Sequence, residues 1–187
     1  MFLIKFFFTV FVADFVSGLV HWLEDAYARP DMKFVGRIAQ ENLRHHARPR
    51  EFISKSWWES SSDLVLIGLL AMLVALLTHN FSGWLLFFVV LTINANQIHK
   101  WAHQGPRENP KIVTWLQQKK ILQTPREHAK HHSGEKNTNY CVITNYLNPV
   151  LEKMGFWTGL ENGIELIVGI KRRTDMEYAA VTTRSRT

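Results

Sequence analysis

The stretch Leu64-Val-Leu-Ile-Gly-Leu-Leu-Ala-Met-Leu-Val-Ala-Leu-Leu77, followed by His79-Asn-Phe-Ser-Gly83 and Trp84-Leu-Leu-Phe-Phe-Val-Val-Leu-Thr-Ile93, decides the fold. Neither apolar run carries a charge, and the polar break between them reads as a tight turn. A bilayer core takes about 20 helical residues, so each run alone is short. Extension into residues 60–63 and 94–98 brings both to a spanning length. The competing reading is a buried helical hairpin in a soluble protein. A further run, residues 2–20, is apolar apart from Lys5 and Asp14. Lys5 lies inside that run rather than ahead of it, and no small-x-small cleavage site follows, so the segment reads as a retained span rather than a removed leader. The expected fold is all-α: a multi-span helical membrane protein with spans at about residues 2–20, 62–78 and 83–98.

The chain has 187 residues, enough for one domain and few for two, so a single domain over residues 1–187 is expected. Its one cysteine, Cys141, excludes an internal disulfide framework and zinc sites built from several thiolates. Any metal falls to histidine. The net charge of +6 fits nucleic acid, an anionic lipid surface or the positive-inside bias of a membrane protein. The apolar runs favour the last, and no nucleic-acid partner is expected. Loop 29–58 holds seven basic residues against Asp31, Glu41 and Glu51, which makes it cytoplasmic. The turn at 79–83 then lies on the far side, and the tail 99–187 returns to the cytoplasm.

Eight of the nine histidines fall into four groups: His21 with Asp25, His45-His46, His99 with His103, and His128 with His131-His132. The expected topology brings all four groups to the cytoplasmic membrane face and strands only His79. His99-Lys-Trp-Ala-His103 places two rings on one helix face. His128-Ala-Lys-His131-His132 adds two rings on one face and a third displaced by one residue. Adjacent His45 and His46 diverge by about 100° on a helix, so they reach two different ions, or one ion and its surroundings. Asp25 either binds metal directly or receives the free N–H of a ligand imidazole, and the second role is the favoured one. Glu24 is expected to face elsewhere. Asn96, three residues before His99, is a further candidate for a ligand or water-holding role. Imidazole binds metal while neutral, and eight such nitrogens are too many for one ion. They suit two iron ions side by side, with open positions for dioxygen. No HExxH, GxGxxG or GxxxxGK[ST] motif occurs, so the glutamate-assisted zinc proteases and the familiar nucleotide sites are disfavoured, and electrons must come from an external donor.

Trp57, Trp58, Trp101 and Trp115 read as interfacial anchors or as core. Arg172 and Arg173 read as a phosphate contact or as a solvated helix end. Asn145, Tyr146 and Asn148 either line a headgroup site or cap a turn before a helix at 151–157.

The boxes Ser17-Gly-Leu-Val-His21-Trp22 with Asp25, Arg44-His45-His46, Asn96-Gln-Ile-His99-Lys-Trp-Ala-His103, Pro125-Arg-Glu-His128-Ala-Lys-His131-His132, Asn139-Tyr-Cys-Val-Ile-Thr144 and Leu151-Glu-Lys-Met-Gly-Phe-Trp157 resemble the plasmanylethanolamine desaturase family, including its CarF-type bacterial members and, more distantly, plant phosphatidylglycerol trans-desaturases. The resemblance runs from about residue 14 to 175 in the same order. It implies an oxygen-dependent membrane lipid desaturase with two irons and dioxygen as co-substrate. It further implies formation of the vinyl-ether double bond of plasmalogens from 1-O-alkyl phospholipids. The family's eight motif histidines correspond to His21, His45, His46, His99, His103, His128, His131 and His132, and its aspartate to Asp25. Expected partners are a membrane phospholipid and a cytochrome b5- or ferredoxin-like electron donor. The expected location is the bacterial inner membrane or endoplasmic reticulum, with the site facing the cytoplasm. At its amino end this chain enters its first span almost at once, so it is expected to have a span fewer than longer relatives. Desaturation of ester-linked acyl chains, hydroxylation on the same cage, a zinc-dependent membrane hydrolase and a non-enzymatic metal-binding protein are the alternatives.

Overall fold

Helix formation in the apolar stretch 64–77 starts earlier than its hydropathy alone suggests. In the computed structural model, which describes residues 1–173, Ser56 accepts from the Glu59 amide while the Glu59 carboxylate accepts from the Ser56 amide. This reciprocal cap satisfies two amides that a helix start leaves unpaired, and the motif Ser-x-x-Glu is its sequence signature. The described elements are all helical: α1 (Phe2–Ala26), α2 (Gly36–Ala47), a 3-10 turn (Pro49–Ser54), α3 (Trp57–Leu77), α4 (Gly83–Ile93), α5 (Ala95–Ala102), α6 (Lys111–Gln118), α7 (Pro125–His131), α8 (Leu147–Lys153) and α9 (Phe156–Val168). Positions 174–187, the end of the expected tail and of the resemblance, lie outside the described residues.

Two helices, α1 and α3, are long and apolar enough to cross a membrane. Little of either is covered by protein, and Leu66, Ile67, Leu69, Leu70, Leu73 and Leu77 are all exposed on α3. A soluble hairpin would bury such a surface, so the exposed leucines favour the membrane reading. The expected third span, 83–98, is divided: α4 ends at Ile93, Asn94 turns, and α5 carries on to Ala102. Eleven residues of α4 measure only about 16 Å, short of a bilayer core of about 30 Å. The break lets Asn94 accept from the Trp57 indole, locking α4 to the start of α3.

Helices α1 and α4 run in the same direction, since Phe2 meets Trp84 and Phe6 stacks on Phe87. Gly68 admits α4 against α3; a Cβ there would stand 2.8 Å from Val89 Cγ1. The upper half of α1 is wrapped by a strap, residues 138–144. Trp22, Ala26, Tyr140, Cys141, Leu151 and Trp157 form one core there, and Ala13, Ala95, Ile98, Val142 and Ile143 form another. Asp14, buried within α1, accepts from the Ile143 amide at 2.8 Å, the Thr144 amide at 3.1 Å and the Thr144 hydroxyl. The helix expected at 151–157 is interrupted, because Gly155 takes a left-handed φ of 60° between α8 and α9. Glycine takes that conformation more readily than any residue with a Cβ.

Candidate metal centre

Four elements deliver the histidines to one end of the helices. His21 and Asp25 sit on the last turns of α1, His45 and His46 end α2 just before Pro49, His99 lies on α5 with His103 as its cap, and His128 and His131 lie on α7 with His132 as its cap. Each α2 neighbour goes to a different place, as their angular divergence requires. His45, His99, His103, His128 and His132 form one group, and His21, Asp25, His46 and His131 form the other. The two adjoin, with the His21 and His99 rings 5.3 Å apart. His79 lies in the turn between α3 and α4, in neither group.

In the first group the Nε2 of His99 is 3.2 Å from that of His45, 3.1 Å from that of His103 and 2.9 Å from that of His128. The Nε2 atoms of His103 and His128 lie 2.9 Å apart, and those of His128 and His132 3.1 Å. A ring nitrogen offers one proton or one lone pair, so it cannot hydrogen-bond to three neighbours at once. Five lone pairs converging on one point are instead what a cation organises. Burial, then the nearness of the other rings, holds His103 down to about 3 and His132 to about 2, and pushes His45, His99 and His128 well below the ordinary imidazole range. These imidazoles are therefore neutral near pH 7, the form that binds metal.

The second group is deeper. His21, Asp25, His46 and His131 are all buried. Asp25 Oδ2 lies 3.3 Å from His131 Nε2, 3.4 Å from His46 Nε2 and 3.6 Å from His21 Nε2. His21 Nδ1 is 3.0 Å from the Tyr140 carbonyl and His131 Nδ1 is 2.8 Å from the Thr138 carbonyl. A carbonyl only accepts, so both rings donate through Nδ1 and turn the Nε2 lone pair inward. Asp25 Oδ2 and His21 Nε2 are buried without a hydrogen-bond partner, as a cation between them would require. The donor chemistry fits iron or another first-row ion.

Several sequence expectations change here. The His21 N–H expected for Asp25 is taken by Tyr140, and Asp25 faces the donor nitrogens itself, its other oxygen accepting from Asn42. Asn96 stands outside both groups, its amide donating to the Ser60 carbonyl. Glu24 joins neither donor group, as expected, but it lines a cavity of about 240 Å³ that His21, His45 and His99 also line. Val16, Val20, Leu64 and Ile67 contribute apolar lining to that cavity, and Glu41, Lys55 and Asp63 charged lining. Arg172 donates to the Lys136 carbonyl and Tyr140 hydroxyl and pairs with Glu161, and Arg173 donates to the Asp25 carbonyl, so both arginines hold the strap and α1 rather than a phosphate. Asn145 bonds Thr124 and Leu122, and Asn148 bonds both polar groups of the Cys141 backbone. They brace turns, and Thr144 accepts from the Tyr146 amide. Trp101 packs into the core beside Ile98, whereas Trp57, Trp58 and Trp115 remain exposed. Asp14, Asn42 and the strap carbonyls were missed from sequence. A lone carboxylate inside an apolar run was the available signal for Asp14, and the three-residue spacing to His45 that for Asn42.

The lipid desaturase domain family matches residues 10–175 of this chain, spanning every one of these donors. The chain belongs to that family. The desaturase is 35% identical over 182 residues to plasmanylethanolamine desaturase 1 of Mus musculus, covering 90% of this chain and 67% of that one. It is 32% identical over 183 residues to a probable fatty acid desaturase of Acanthamoeba polyphaga mimivirus, covering 91% and 85% of the two chains. It is 29% identical over 174 residues to the plasmanylethanolamine desaturase of Myxococcus xanthus, covering 87% and 60%. No solved structure matches it. Family membership makes the desaturase an oxidoreductase with a lipid substrate, and its two long apolar helices associate it with a membrane.

Proposed function

We propose that the chain is an oxygen-dependent, integral membrane desaturase that holds two iron ions and introduces the vinyl-ether double bond of plasmalogens into 1-O-alkyl phospholipids. One observation carries the reading: the two donor groups adjoin each other, and His21, His45 and His99 line a cavity together with the apolar Val16, Val20, Leu64 and Ile67. His45, His99, His103, His128 and His132 are assigned to one ion, and His21, Asp25, His46 and His131 to the other. Iron there would supply oxidation of an unactivated methylene pair, with dioxygen, two electrons and two protons consumed and two waters formed.

The chain's own part is placement. Val16 and Val20 of α1 and Leu64 and Ile67 of α3 line a slot for an alkyl chain rising from the bilayer, since a methylene offers no charge to recognise. His21 and His99 stand where that slot reaches the donors. Phe52, packed 5.0 Å from the His45 ring and 5.1 Å from His99, covers the cage and limits water. The reducing partner is a small acidic cytochrome b5- or ferredoxin-like protein, drawn to the basic face that exposes Arg37 and Arg44 on α2. The site faces the cytoplasm, from the bacterial inner membrane or the endoplasmic reticulum.

A second reading, desaturation of ester-linked acyl chains, is favoured by the name of the viral relative. Lipid mass spectrometry of cells expressing the chain in a vinyl-ether-free background separates the two. Acid-labile alkenyl lipids support the first reading, whereas a new acyl double bond without them establishes the second. His103→Ala and His131→Ala are each expected to abolish the product with expression intact; full activity in either variant would sink the cage assignment.

A further inference from the structure

The two donor groups are built differently. The deep group brings one carboxylate and three imidazoles, so a bound dication keeps a net charge of about +1, against +2 among five neutral imidazoles. In a buried site that difference favours the carboxylate-bearing position strongly. Preorganisation acts in the same direction. Tyr140 and Thr138 carbonyls aim His21 and His131, whereas Nδ1 of His45, His128 and His132 is buried with no hydrogen-bond partner. An imidazole held by its second nitrogen loses less freedom on binding and is a better base.

Donor number separates the groups again, four against five. For metal–nitrogen bonds of about 2.1 Å, donors at right angles lie about 3.0 Å apart and donors at tetrahedral angles about 3.4 Å. Nearest contacts in the five-histidine group run from 2.9 to 3.2 Å. In the Asp25 group His46 and His131 approach to 3.2 Å, within that range, and the carboxylate oxygen lies 3.3 to 3.6 Å from its three nitrogens, a spacing that admits tetrahedral angles. All four donors of the deep group are buried, while His103 and His132 are only partly buried.

We propose that the positions are unequal and fill in order. The four-donor position of His21, Asp25, His46 and His131 takes the first ion in near-tetrahedral geometry, and the five-histidine position takes the second, weaker ion in a six-coordinate geometry. The proposal rests on the two-metal reading and is independent of which lipid is oxidised.

Cobalt(II) reports the difference without turnover, because four-coordinate cobalt absorbs visible light far more strongly than six-coordinate cobalt. The full chain, purified into lipid nanodiscs and stripped with a chelator, is titrated with Co²⁺. The first equivalent is expected to raise strong visible bands and the second to add weak ones. Asp25→Asn is expected to weaken the first phase by at least about tenfold, and His103→Ala to keep the first phase and lose the second. Weak bands at the first equivalent, two indistinguishable equivalents, or loss of the first phase in His103→Ala would each overturn the order while leaving the cage in place. Failure to bind any cobalt would overturn the cage as well. Should Asp25→Asn fail to fold, the wild-type titration and His103→Ala still decide.

Discussion

Asp14 stands in the apolar face of α1, completely buried, and its carboxylate receives three hydrogen bonds from Ile143 and Thr144. It is the pin of the strap whose carbonyls aim His21 and His131. Asp14→Ala strands two amides and a hydroxyl in a dry environment, and a hydrogen bond to a charged group is worth about 1.5–3 kcal/mol. Thermal unfolding in detergent is expected to show a loss of about 3 kcal/mol or more, together with reduced metal content in the protein that remains folded. An unchanged melting temperature would remove Asp14 from this role. At the same scale, His45 and His46 show what a dipeptide conveys. Their divergence follows from helix geometry, but which donor group each joins follows from the rings they meet.

Between elements, small residues set the approach. A Cβ on Gly18 would lie 2.6 Å from Cys141 Sγ and 3.0 Å from the Cys141 amide nitrogen, so Gly18→Ala must push the strap away from α1. The expected result is loss of most activity and of metal, with insertion and expression retained. Gly159 in α9 meets nothing within 4 Å, and Gly159→Ala is expected to stabilise by about 0.5–1 kcal/mol through helix propensity alone. Equal effects of the two substitutions on desaturation would show that the strap contact is dispensable. Gly68→Leu drives a side chain into Val89 and Ile93, and a loss of about 1–3 kcal/mol in unfolding free energy is expected. The start of α3 was open to reading from its Ser-x-x-Glu cap, which the expectation of a span from about residue 62 passed over. The break at Asn94 was not, because an uncharged run continuing into an amphipathic segment carries no local stop signal, and the turn is held by a contact with Trp57.

At the scale of the whole molecule, the donors gather at one end of the helices and the turn at 79–83 closes the other. Asn80→Cys and Glu135→Cys are therefore expected to react with a membrane-impermeant maleimide from opposite sides of sealed vesicles. The native Cys141 should stay silent, being fully buried, with burial pushing its thiol pKa up. Labelling of both positions from one side would overturn the spanning arrangement. The sequence by itself determined the all-helical class, the apolar runs and the eight histidines, since hydropathy and i, i+4 spacing are properties of a single segment. Only the tertiary structure decided the partition into five donors and four, the inward turn of Asp25, the placing of Glu24 in the cavity wall and the support of the strap by Asp14. Those depend on contacts between residues separated by 29 positions, as in His99 with His128, up to 130, as in Asp14 with Thr144, and no local pattern encodes a distance across the fold.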